Sequence, residues 1–160
     1  MTRTEFKYLF DDHFDAVRNY IYFRSGDVHI ATDIAQDTFL RVWEKQIKIE
    51  ENKEKALLFK IAGDLFISNY RKRKTALQFK LTVKKEIFDQ TPEDQLQFEE
   101  LKQKYEEALA RLSEKQRTVF LMSRMEGLKY HEIATTLNIS VKAVEKRMKN
   151  ALEFLRQVIK

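Results

Sequence analysis

Phe6, Leu9, Phe10, Phe14, Val17 and Ile21 recur at three- and four-residue steps, which puts them on one face of an amphipathic helix. Ser25-Gly26 should end that helix, because glycine is favoured just past a helix terminus. Asp27 can cap the next helix, whose apolar positions Ile30, Ile34, Ala35, Phe39 and Val42 carry it to about Lys45. Residues 46–55 read as a polar connection. A third helix follows from about Ala56 to Lys74, with Leu58, Ile61, Ala62 and Leu65 inward. Periodicity is weakest over residues 75–98, which hold the only proline, Pro92, and this stretch reads as a linker with some helical character. A further helix is expected around Phe98, with Leu101, Tyr105, Ala108, Leu109 and Leu112 inward. Ser113, with Gln116 three residues later, predicts a capping box ahead of Val119, Phe120 and Met122. The pattern is all-α: two small helical domains joined by a linker.

The C-terminal end has a tighter pattern. Tyr130 to Leu137 predicts a short helix with Ile133, Ala134 and Leu137 inward, and Asn138-Ile139 a turn. Ser140 should cap a second helix with Val144, Met148, Leu152 and Leu155 inward. Ala134 suits a steep crossing, where a larger side chain would clash, and Ile139 can plug the gap between the helices. This is a helix-turn-helix, a geometry that offers the start of its second helix to a DNA major groove. Lys142, Glu145, Lys146, Lys149 and Asn150 face outward there. Lysine can neutralise phosphate, asparagine can pair with adenine and glutamate can accept from cytosine. The plain alternative is a helical hairpin with solvated charges.

Charge adds a second clue. The chain has 160 residues and a net charge of +5, unevenly spread. Residues 1–70 hold 10 basic and 12 acidic side chains, residues 71–85 hold 7 and none, residues 86–112 hold 3 and 8, and residues 113–160 hold 10 and 5. Two separated basic blocks suggest two contacts with a polyanion; solvated helix faces are the competing explanation. There is no cysteine, which excludes a disulfide scaffold, a thiolate metal site and a cysteine nucleophile. Three glycines cannot supply the turns of a many-stranded barrel. His13, His29 and His131 lack partners at metal-ligand spacing, and no phosphate loop or nucleophile elbow occurs, so neither enzyme, metal nor cofactor is indicated. No signal peptide is visible and no run approaches about 18 apolar residues, so a soluble, intracellular, cytoplasmic protein without membrane insertion is expected.

Three blocks, in order, resemble a bacterial sigma factor of the extracytoplasmic-function type. They are Asp33-Ile-Ala-Gln-Asp-Thr-Phe-Leu-Arg-Val-Trp43, Leu57 through Lys74, and Leu112-Ser-Glu-Lys-Gln-Arg-Thr-Val-Phe-Leu with Gly127 through Leu155. The resemblance implies a region 2-like domain at 1–75, a linker at 76–97 and a region 4-like domain at 98–160. It implies core RNA polymerase and promoter DNA as partners, with transcription initiation as the function. Members are often held inactive by an anti-sigma protein, commonly a membrane protein, which adds a candidate partner. Asp33, Gln36, Asp37 and Leu40 fall at i, i+3, i+4 and i+7, one outward stripe suited to docking on the polymerase clamp. Trp43 either extends that stripe or packs beneath it.

For the minus-ten element the resemblance implies contacts from Asn52, Lys60, Asn69, Tyr70, Arg71, Lys72, Arg73 and Lys74, and places residues 46–55 at a pocket for an unstacked base. For the minus-thirty-five element it implies Ser140, Lys142, Glu145, Lys146, Arg147, Lys149 and Asn150. The sequence departs from the family pattern at Asp64, where asparagine is common, at Ser68, where aspartate is common, and at Lys142-Ala143, where Gly-Thr is more usual. The rival reading is a helix-turn-helix regulator that is not a polymerase subunit; a helical adaptor would leave both basic blocks unexplained. The two domains are expected to have no fixed mutual arrangement in the free chain, given the charge reversal and Pro92 between them.

Overall fold

The computed structural model describes residues 1–69 and 91–159. Those residues form seven helices and no strand: α1 (Arg3–Ser25), α2 (Val28–Glu44), α3 (Glu54–Asn69), α4 (Pro92–Arg111), α5 (Glu114–Arg124), α6 (Tyr130–Leu137) and α7 (Val141–Ile159). Local chemistry explains most boundaries. The Thr2 hydroxyl accepts from the Glu5 amide at 3.1 Å and the Glu5 carboxylate accepts from the Thr2 amide at 2.9 Å, so a reciprocal cap starts α1. Gly26 ends it in the left-handed region, at φ 69°, where its amide donates to the Tyr22 carbonyl. The Asp27 carboxylate accepts from the His29 and Ile30 amides and starts α2. Ser113 caps α5 by accepting from the Gln116 amide at 3.2 Å; the return bond from the Gln116 side chain is not made, so only half of the expected box forms.

α4 begins earlier than the periodicity predicts. The helix expected around Phe98 starts at Pro92, and the last part of the 76–97 linker is its opening turns. The reason is chemical. The Thr91 hydroxyl accepts from the Asp94 amide and the Asp94 carboxylate accepts from the Thr91 amide. Proline at the first helical position lacks only an amide that has no partner anyway. Glu93 and Asp94 complement the positive end of the helix. Leu101, expected inward, is exposed instead, at the rim of an open apolar groove with Phe98, Tyr105 and Phe120.

α1, α2 and α3 form one three-helix half, with Phe39 fully buried against Phe10 at 5.1 Å between ring centres. Burying such a ring is worth about 1.5–3 kcal/mol. α4, α5, α6 and α7 form the other half, in which α5 packs on both α6 and α7. α5 is buried almost all round, from Arg117 to Met122, and a helix of that kind needs cover on more than one side. α7 covers one side and α1 of the other half covers another, while α3 meets α6. The two halves therefore share one continuous core, in place of the expected lack of a fixed arrangement. No helix among the described residues is long and apolar enough to cross a membrane.

Candidate polymerase and promoter interfaces

On α2, Ile30, Ala31, Ile34, Ala35, Thr38, Phe39 and Val42 are buried. Thr38 reaches burial by donating its hydroxyl to the Ile34 carbonyl at 2.7 Å. The helical period then leaves Asp33, Gln36, Asp37 and Leu40 in water on the opposite face, with Leu40 52% exposed. Trp43 is half-buried, its ring 5.1 Å from that of Phe6, so it packs beneath the stripe at the α1–α2 seam.

α3 buries Leu58, Phe59, Ala62, Gly63, Leu65 and Phe66. Ile61, expected inward, is half-buried. Lys60 and Asn69 are both exposed, on different sides of the helix, and Lys60 borders a crevice with Thr136 and Asn138. Tyr70, Arg71, Lys72, Arg73 and Lys74 lie outside the described residues. In the loop before α3, Asn52 is exposed and adopts a positive φ of 66°, a conformation asparagine tolerates better than most residues. The Lys53 ammonium sits 2.8 Å from the Glu50 carboxylate and holds its pKa below the usual range.

In the helix-turn-helix, Asn138 turns the chain at φ 56° and the Ile139 amide donates to the Ala134 carbonyl at 3.0 Å. Ala134 is buried and Ile139 packs against the core, as a close crossing requires. Val144, Met148, Ala151 and Leu155 form the buried side of α7; Leu152 is only half-buried, and Ala151 takes the inward place. Lys142, Glu145, Lys146 and Lys149 are exposed, and Asn150 is half-buried. Two candidates stand apart. The Ser140 hydroxyl is occupied as a cap, accepting from the Ala143 amide at 3.1 Å. Arg147 is half-buried and lines a crevice facing Tyr20, Arg24 and Ile67 of the other half, not the outward row.

The pattern did not single out the residues that join the halves. Arg117 is 2% exposed. Its guanidinium donates to the carbonyls of Phe23 at 2.6 Å, Arg24 at 2.7 Å and Leu112 at 3.1 Å. Burial pushes its pKa down to about 10, opposed by the Glu114 carboxylate. Arg24 donates to Glu114 through Nε at 2.7 Å and Nη2 at 2.6 Å, and lies over the rings of Tyr20 and Phe66. Asn19 donates to Glu126 at 2.8 Å. The one legible signal was an arginine directly beside the continuous apolar-facing run of α5.

Residues 9–76 match sigma-70 region 2 and residues 102–155 match sigma-70 region 4. The ferric citrate uptake sigma factor FecI of Escherichia coli is 30% identical over 92% of this chain and 87% of its own length. The ECF RNA polymerase sigma factor SigW of Bacillus subtilis is 29% identical over 95% of this chain and 87% of its own length. In fold, the chain is similar to the sigma factor RpoE of Bartonella quintana, solved in complex with the anti-sigma factor NepR, with a TM-score of 0.66, 22% identity and coverage of 97% and 96%. The chain belongs to the sigma-70 family, among the extracytoplasmic-function sigma factors.

Proposed function

We propose that the chain works through three separate faces. As a sigma factor it binds core RNA polymerase and directs promoter-specific transcription initiation. The α2 stripe docks on polymerase, Asn52, Lys60 and Asn69 with residues 70–74 meet the minus-ten element, and the outward row of α7 meets the minus-thirty-five element. Residues 1–75 and 98–160 divide these tasks between them. The role is non-enzymatic, because it needs placement on DNA and no reacting group. Its place of action is the cytoplasm, and its use is a response to an external signal, with a membrane-bound anti-sigma protein as antagonist.

The observation that carries the polymerase face is α2 itself: seven positions buried on one side, and Asp33, Gln36, Asp37 and a half-exposed leucine on the other. Run-off transcription on genomic fragments with purified core polymerase is the direct test. Core enzyme should start at defined sites only when the chain is added. The double variant Gln36→Ala, Leu40→Ala should keep its helical circular dichroism and lose core affinity by about 2 kcal/mol, the usual cost of removing an interface hot spot. Unchanged affinity would place the polymerase face elsewhere.

A further inference from the structure

We propose that the open groove between α4 and α5 is a contact between two copies of this chain, which pair through antiparallel α4 helices. None of the residues assigned above to polymerase or promoter lies on either helix, so this contact is independent of the sigma reading. Of the 20 residues of α4 only Ala108 and Leu109 are buried, which leaves about four turns before them uncovered or half-covered. On those turns Phe98, Leu101 and Tyr105 form one apolar row and face Phe120 and Met125 of α5 across the groove. Leu101 is 51% exposed and Met125 47%. Apolar side chains at steps of three and four, open beside a second apolar wall, fit a helix laid along them.

The charges beside this row select the occupant. Glu100 and Lys104 are exposed, and among the described residues neither makes an ion pair. A helix turns by about 100° per residue, so these two side chains share one flank of the line through Phe98, Leu101 and Tyr105. When two copies of α4 run antiparallel about a two-fold axis at the level of Lys102, this flank of one copy meets the same flank of the other. Glu100 of each copy then stands opposite Lys104 of the other. Phe98 of each lies beside Tyr105 of the other, and Leu101 meets its own mate. The contact stays on the open middle of α4, since Ala108 and Leu109 are already covered. Antiparallel pairing also opposes the two helix dipoles. Apolar cover supplies the affinity, and the two charge pairs fix register and direction. A contact of so few turns is small for a protein interface, so the dimer is weak and reversible.

Sedimentation equilibrium of the full chain, from low micromolar to several hundred micromolar, should give a mass that rises from one chain towards two. Leu101→Asp should abolish the rise. Glu100→Lys sets lysine against lysine at both pairs, and Lys104→Glu sets glutamate against glutamate, so each alone should weaken the dimer by about tenfold or more. An equimolar mixture of these two variants should restore it, because lysine then meets glutamate at both pairs. All three positions are exposed, so circular dichroism should show unchanged helix content. A mass of one chain at every concentration, which is also what a groove reserved for a different partner gives, overturns the proposal. So does a dimer that either charge variant leaves intact. A mixture that associates no better than its two components overturns it as well, because only the antiparallel two-fold pairing exchanges these partners.

Discussion

Arg117 belongs to the C-terminal basic block, yet it is 2% exposed and meets backbone carbonyls of its own protein. A count of charges treats it as a contact for a polyanion; its burial removes it from that role. Its neighbour across the seam depends on a small residue. A Cβ placed on Gly63 of α3 would come within 3.0 Å of Arg24 Nη1, so the absent side chain leaves the guanidinium its path to Glu114. The pKa of Arg117 is lowered to about 10 by burial. Below that value it is protonated both folded and unfolded, and it adds no slope to stability. From about pH 10 up to its ordinary range the unfolded chain binds more proton, so its contribution to stability rises with pH. The difference in unfolding free energy between the parent chain and Arg117→Gln, read by denaturant titration, should therefore stay constant between about pH 6.5 and about pH 9.

At the scale of the element, boundaries are decided within one turn. α4 starts at Pro92 because Thr91 and Asp94 exchange hydrogen bonds there. Thr91→Ala should cost about 1 kcal/mol of local stability. Amide hydrogen exchange should become faster at residues 93–97 and stay unchanged at the buried Ala108 and Leu109 end of the helix. α5 follows a different rule. Its run from Arg117 to Met122 is buried on every side, so no stripe marks an outer face and the helix sits between two neighbours. α7 is the opposite case, with Val144, Met148, Ala151 and Leu155 covered and Lys142, Glu145, Lys146 and Lys149 left in water.

For the molecule as a whole, the exposed rows of α2 and α7 stay open to partners while the seam between the halves is closed. The chemistry of the α7 row predicts two different outcomes in holoenzyme on a promoter library. Lys146→Ala or Lys149→Ala, acting on phosphate, should weaken all sequences alike and lower the salt slope by about one unit. Glu145→Ala or Asn150→Ala, acting on base edges, should change which upstream base is preferred, by about 1–3 kcal/mol for each well-formed side chain–base pairing removed. A base preference unchanged at every upstream position would remove Glu145 and Asn150 from base reading.

The helices, the α2 stripe and the helix-turn-helix were legible in the sequence because each is written in residues within a turn or two of one another. Asp27 caps α2 through His29 and Ile30, and Gly26 stops α1 one residue past Ser25. The period of 3.6 then sets which of residues 33–40 and 142–149 face water. The start of α4 was equally local, in Thr91-Pro92-Glu93-Asp94, but its capping signal was outweighed by the weak apolar period around it. Only the tertiary structure decided the rest. Trp43 rests on Phe6, Arg147 turns toward the other half, and Arg117 reaches the Arg24 carbonyl 93 residues away. No spacing rule links groups so far apart in the chain. Their meeting follows from α5 needing cover on a second side and from two helix-end carbonyls of α1 needing donors, and both demands are met only when the halves pack together.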